Sequence, residues 1–199
     1  MICSSCPPRP KKVSIRSSTT LGVVDRAGKE LSRRVLTPNT GAMRVIRITA
    51  DGNYLLNLGK PWRAAELTPA GETVWEANLA AFGGKGYKVL KTAAGHYLAS
   101  TGNGVKIIEL DRDGALVRFW GEAKKGDHPD WRLDFFSGFD ALPNGHVVAA
   151  NWLGHGKHGT GPHLVEFDVR NRLVWQWEDH AVAKQITNVM ILDHREVAP

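Results

Sequence analysis

Residues 142–180 read LPNGHVVAANWLGHGKHGTGPHLVEFDVRNRLVWQWEDH. Three short runs within them, 145–151, 163–169 and 173–178, alternate apolar and polar positions and are rich in β-branched and aromatic residues. Pro-Asn-Gly precedes the first run, a Gly/His-rich insertion separates the first two, and Arg-Asn joins the last two. Runs of this kind between turn formers predict antiparallel strands. A fourth strand is predicted over 136–142, ahead of the Pro-Asn-Gly turn. A small sheet of four such strands cannot cover both of its faces and needs neighbours of its own kind.

The neighbours are present as an internal repeat. ADGNYLL at 50–56 and AAGHYLA at 93–99 have the shape of the run after Pro143. A second motif keeps step with the first: ELTPAGETVWE at 66–76, ELDRDGALVRF at 109–119 and EFDVRNRLVWQ at 166–176, with a degenerate copy, VVDRAGKEL, at 23–31. Gly52 and Gly95 are 43 residues apart, and so are Gly28, Gly71 and Gly114 in succession. Asn171 holds the same place in the last copy, and Asn is the residue after Gly that best tolerates a positive φ. A period of about 40–50 residues with four strands per unit is the signature of a β-propeller blade.

The fold predicted is therefore all-β: a propeller of four-stranded antiparallel blades, of about four blades or part of a larger six- to eight-blade ring. Residues 1–20 read as a disordered basic lead-in and 21–199 as propeller. Within the latter, 21–36 is a partial blade, 43–79, 87–120 and 135–178 are blades, and 185–193 is a closing strand. That strand and the partial blade could complete one sheet, as in rings closed by a swapped strand. The reading preferred here is part of a larger ring, or an assembly completed by self-association.

The element Glu-Leu/Phe-x-x-x-Gly-x-x-Val-Trp resembles the blades of PQQ-like propellers and is similar to those of arylsulfotransferase-type propellers. The resemblance spans residues 21–193 and implies a scaffold more than an activity. Arg118 stands where the pattern has tryptophan, and Ser32 does so in the first copy. No adjacent-cysteine pair and no quinone–calcium ligand set accompany the repeat, so a PQQ cofactor is not expected.

The chain has 199 residues, 42% of them hydrophobic, enough for a sizeable core. No apolar run reaches the roughly 20 residues of a membrane span. The opening MICSSCPPRPKKVSIRSS lacks the apolar stretch of a secretory leader. The default compartment is the cytoplasm, or the periplasm or exterior if a natural N-terminus lies upstream. The net charge of +6 is uneven: residues 1–44 hold nine Lys/Arg against Asp25 and Glu30, and the remainder is nearly balanced. A solvated basic tail explains this better than a nucleic-acid surface does. Cys3 and Cys6 form a lone C-x-x-C with no second pair and no helix start, which is neither a zinc ribbon nor a redox motif.

Propeller topology places the loops 121–134 and 151–163 side by side on one face, whereas the short glycine turns lie on the other. Loops that exceed the needs of a repeat usually carry function. Trp62, Arg63, Asn103, Trp131, Arg132, Asn151 and Trp152 are the candidate ligand-binding residues, with Lys60 nearby. Aromatics with polar neighbours suit a small molecule, a carbohydrate or a peptide in the mouth of a ring. His128, Asp130, His155, His158 and His163 are candidate ligands for a divalent metal, with Asp127 beside them. Trp75, Trp120, Trp175 and Trp177 are expected to pack between blades. His96 and His146 share one repeat position with Asn53 and are read as features of the repeat. No nucleophile–base set is defensible, so the catalytic residues and the question of enzyme or not stay open. Three functions follow: a non-catalytic scaffold binding a ligand or a protein partner, a metal-dependent propeller enzyme, and a structural part that closes only on assembly.

Overall fold

The structure is a computed structural model that describes residues 19–36, 44–59, 61–121 and 128–192. Cys3, Cys6, Lys60, Asp127 and Asp193 lie outside the described residues. The chain divides into two compact units, Met1–Asn39 and Thr40–Pro199. In the first, β1 (Thr19–Val24) and β2 (Glu30–Leu36) form an antiparallel hairpin.

The second unit contains three four-stranded antiparallel sheets, each a meander in chain order. The first comprises β3 (Ile46–Ile48), β4 (Tyr54–Leu58), β5 (Arg63–Leu67) and β6 (Thr73–Asn78). The second comprises β7 (Val89–Lys91), β8 (Tyr97–Ser100), β9 (Lys106–Leu110) and β10 (Leu116–Gly121). The third comprises β11 (Phe136–Ala141), β12 (Val147–Asn151), β13 (Leu164–Phe167) and β14 (Leu173–Trp177). These are blades of a propeller. Two single 3₁₀ turns, Ala80–Phe82 and Pro129–Trp131, interrupt the connections. No helix among the described residues is long and apolar enough to cross a membrane.

One local device sets the register of every outer hairpin. The first turn residue, Asp25, Thr68, Asp111 or Asp168, accepts two backbone N–H bonds on its side-chain oxygen, from residues two and four positions on. The third residue after it must then turn left-handed, which glycine does without steric cost. Gly28, Gly71 and Gly114 sit at φ 79–85°, and Asn171 takes 58°. Asn171 does more than turn. Its amide clamps the backbone of Gly121 in the preceding blade, accepting from the Gly121 N–H at 2.7 Å and donating to its carbonyl at 2.8 Å.

The core lies between blades. Leu55, Trp75 and Leu79 of the first blade meet Val89, Tyr97, Ala99, Ile108 and Leu110 of the second. Leu98, Ile107 and Trp120 of the second meet Phe136, Phe139, Val147, Ala149 and Phe167 of the third. Trp75 stacks on Tyr97 at 3.6 Å between centroids, with planes 9° apart. Below the stack, the buried Glu66 carboxylate accepts from Asn53 Nδ2 (2.7 Å), from the Tyr97 hydroxyl (2.7 Å) and from Lys91 Nζ (2.9 Å). Burial alone would raise the Glu66 pKa, but the three hydrogen bonds and the Lys91 charge outweigh it and hold the carboxyl below its ordinary value. Burial and the adjacent carboxylate push the Tyr97 phenol well above its own.

The equivalent glutamates are met from within their own blades. Glu109 accepts from His96 Nδ1 (2.7 Å) and Arg118 Nε (2.6 Å), and Glu166 pairs with His146 Nδ1 (2.7 Å). Arg118, where the pattern has tryptophan, thus binds within its own blade, and it also lies over the Trp120 ring at 4.7 Å.

Two expectations change. Residues 185–192 form no strand. They run beside β11, linked by Gly138 N–H to the Thr187 carbonyl (2.9 Å) and by Ile191 N–H to the Asp140 carboxylate (2.9 Å). A side chain replaces the second rung, so no ladder forms. Trp175, expected between blades, is 45% exposed, whereas its repeat equivalent Trp75 is 7% exposed. The two tryptophans differ because only Trp75 has a Tyr97 to stack on.

This contrast is measurable. Trp75→Ala should lower unfolding free energy by about 3–5 kcal/mol in urea titrations, and Trp175→Ala by about 1 kcal/mol or less. The Glu66 contribution has a definite pH sense. Its folded pKa lies below the unfolded value of about 4.3. The stabilisation is therefore complete above that value and is lost as pH falls through the folded pKa. Glu66→Gln should be less stable at neutral pH and should lose less further stability than wild type on acidification below about pH 4.5.

Candidate functional site

A depression of about 660 Å³ opens where the blades' inter-strand connections converge at one end of the sheets. Trp62 enters it from the β4–β5 turn, Asn103 from β8–β9, and Trp152 and His155 from β12–β13. Lys85, Gly86 and Tyr87 come from β6–β7, Phe135 and Ser137 from the start of β11, Arg44 from ahead of β3, and Thr187 from beyond β14.

The aromatic walls are held from behind. Trp62 packs so closely on Gly84 that a Cβ there would lie 2.6 Å from its Cδ1. The Trp62 carbonyl accepts from the Leu79 N–H at 2.8 Å. Trp152 sits edge-on to Phe135 (5.5 Å, 83°) and to His155 (5.0 Å, 86°), and its backbone N–H donates to the Phe135 carbonyl at 2.8 Å. Lys85 is presented by an unusual backbone. Gly83, Gly84 and Lys85 are consecutively left-handed, at φ 101°, 65° and 52°. Gly83 has no room for a side chain against Gly104, and Gly86 has none against Asn57. The buried Asn57 amide behind Gly86 has no hydrogen-bond partner at either end among the described residues.

Of the seven expected ligand-binding residues, Trp62, Asn103 and Trp152 meet in this depression. The other four are engaged elsewhere. Arg63 pairs with Glu76 at 2.5 Å. Trp131 packs on Phe167 (5.3 Å) with His128 stacked on its outer face (4.0 Å, 10°). Arg132 adopts φ 50° and reaches Glu178 at 3.3 Å. Asn151 is fully buried and braces both long loops, accepting from the Asp134 N–H (2.9 Å) and donating to the Pro162 carbonyl (2.8 Å).

The five expected metal ligands are dispersed. His128 lies on Trp131, Asp130 is exposed, and His155 borders the depression. His158 Nδ1 faces the Lys184 carbonyl at 3.4 Å. His163 is buried against Trp177 (5.6 Å) and His180 (4.4 Å), with no hydrogen-bond partner on either ring nitrogen among the described residues. Among the described residues no group of three or more His, Cys, Asp or Glu side chains is placed to hold a metal ion.

Sequence reasoning passed over Arg44, Lys85, Tyr87 and Phe135, which border the depression. The glycine cluster Gly83-Gly84-Lys85-Gly86 was the available signal. A second depression, of about 570 Å³, lies at the opposite ends of the first two blades, beside Arg47, Lys91, Arg112 and the turns at Ala50 and Ala93.

No protein-family model and no curated protein sequence matches the chain. Solved structures do. A protein of unknown function from Bacteroides caccae superposes with a TM-score of 0.67 at 24% identity, over 86% of this chain and 63% of that one. Virginiamycin B lyase from Staphylococcus aureus superposes with a TM-score of 0.55 at 14% identity, over 80% of this chain and 48% of that one. A streptogramin B lyase gives 0.52 at 14%, over 81% and 45%. The chain thus spans about half to under two thirds of the length of these structures. Likeness at such identities establishes the propeller fold and nothing finer.

The Asn151 brace is testable. Asn151→Ala should cost about 2–3 kcal/mol, because it leaves the Asp134 N–H and the Pro162 carbonyl without their partner. Hydrogen exchange should quicken around Asp134 and His163 and stay slow in β7–β9.

Proposed function

We propose that this propeller is a small-molecule binding scaffold whose ligand occupies the depression between Trp62 and Trp152 and stacks a flat ring on their indoles. The repeat keeps its resemblance to PQQ-like and arylsulfotransferase-type blades, but the reading rests on the site. The observation that carries it is the convergence of four aromatic side chains, each from a different connection, around a cavity of about 660 Å³. That volume lies in the range of ligand sites, roughly 300–1,000 Å³. Stacking rewards a rigid wall, since an aromatic side chain already fixed in place loses little entropy on binding. Asn103 and Thr187 supply hydrogen-bonding groups to orient a ring substituent.

Calorimetric titration with 2-naphthol and 2-naphthoate tests the reading. At least one should bind, and Trp62→Ala or Trp152→Ala should each weaken that binding by about tenfold. Absence of binding by both probes, or affinities indifferent to both substitutions, overturns it.

A further inference from the structure

We infer that the mouth depression selects a ring bearing an anionic group, with Arg44 and Lys85 reading the charge and the two tryptophans holding the ring. The inference rests on the binding role proposed above and narrows it to a ligand class.

Three observations combine. First, the lining contains two permanent cations, Arg44 and Lys85, and no aspartate or glutamate. Several basic side chains elsewhere in the same unit meet a carboxylate. Arg63 meets Glu76, Lys91 meets Glu66, Arg118 meets Glu109, Lys157 meets Asp134 and Arg172 meets Asp168. Among the described residues neither Arg44 nor Lys85 has an acidic partner. Among the described residues, the lining of the cavity thus carries positive charge with no carboxylate beside it.

Second, Lys85 is placed there at a conformational cost. A lysine at φ 52° is outside the region that side chains with a Cβ prefer. The glycines on both sides fit only because they lack side chains. A loop needing merely to connect β6 to β7 would not require this backbone.

Third, the remaining lining is largely aromatic, and its polar side chains are neutral. A neutral sugar would find no carboxylate in the depression, and only side chains such as Asn103 and Thr187 to meet its many hydroxyls. A cationic ring would be stacked by the tryptophans but repelled by Arg44 and Lys85. An anion is attracted by both cations, and the aromatic walls limit the water that would screen the attraction. A carboxylate and a phosphate share this chemistry.

The experiment uses one ring with four substituents: 2-naphthoate, 2-naphthyl phosphate, 2-naphthol and 2-naphthylmethylammonium, titrated calorimetrically at low and at physiological salt. The anions should bind about tenfold or more tightly than 2-naphthol, with the ammonium weakest and the anion preference shrinking as salt rises. Whichever anion binds more tightly identifies the group. The double substitution Arg44→Gln, Lys85→Gln should bring the anions to the affinity of 2-naphthol. Both positions are exposed, and an unchanged melting temperature verifies folding. If 2-naphthol or the ammonium binds as tightly as the anions, or the double substitution keeps the preference, the charge inference falls and the stacking site stands. If none of the four binds, or binding ignores Trp62→Ala with Trp152→Ala, the site itself falls and the inference with it.

Discussion

The carboxylate of Glu66 governs how the first two blades meet. It is buried, and a buried charge is tolerated only where hydrogen bonds and an opposite charge replace the water it has lost. Asn53 comes from its own blade; Tyr97 and Lys91 come from the next. The requirement to satisfy one anion therefore fixes the position of a neighbouring sheet. Trp75 can then lie flat on Tyr97, and the apolar faces of both sheets close over each other. The second and third blades meet by another solution: the Asn171 clamp on Gly121, a paired exchange of backbone bonds between Gly102 and Phe136 (3.1 Å each), and the buried Lys88 ammonium donating to the Phe139 carbonyl.

With sheets so fixed, their connections have fixed origins, and the mouth inherits that rigidity. Trp62 and Trp152 belong to different blades, and the space between them depends on blade packing as much as on their own loops. The long loop 151–163 is tied back at both ends by one asparagine, and its histidines part company: His155 borders the mouth, His158 faces Lys184 and His163 is buried beside His180.

Much of the architecture was legible in sequence because propeller blades repeat a short-range device. A turn residue with a side-chain acceptor, followed by a glycine three positions later, is visible in the sequence and is what sets each hairpin. Contacts that depend on distant partners were not legible. Trp75 and Trp175 occupy identical motifs, and only the non-local Tyr97 separates a buried ring from an exposed one. Residues 185–192 have the apolar pattern of a strand, but the Asp140 side chain takes one of their backbone donors. At the site, surplus loop length pointed to Trp62, Asn103 and Trp152. It also drew in Asn151 and Arg132, whose polar groups serve the chain itself. Lys85 escaped notice because its loop is of ordinary length and its importance lies in a backbone angle.

The replacement of tryptophan by Arg118 in the second blade has a mechanical consequence. In a stack of repeats, stability is roughly a sum of unit terms and nearest-neighbour terms, and cooperativity depends on how alike the latter are. Here the junctions are unlike: one rests on an aromatic stack above a carboxylate, the other on backbone clamps and a buried ammonium. Heat, acid and denaturant act differently on those chemistries, so the order in which the two junctions open is expected to change with the stress applied. The mouth draws walls from both sides of both junctions, so its shape depends on each of them staying closed.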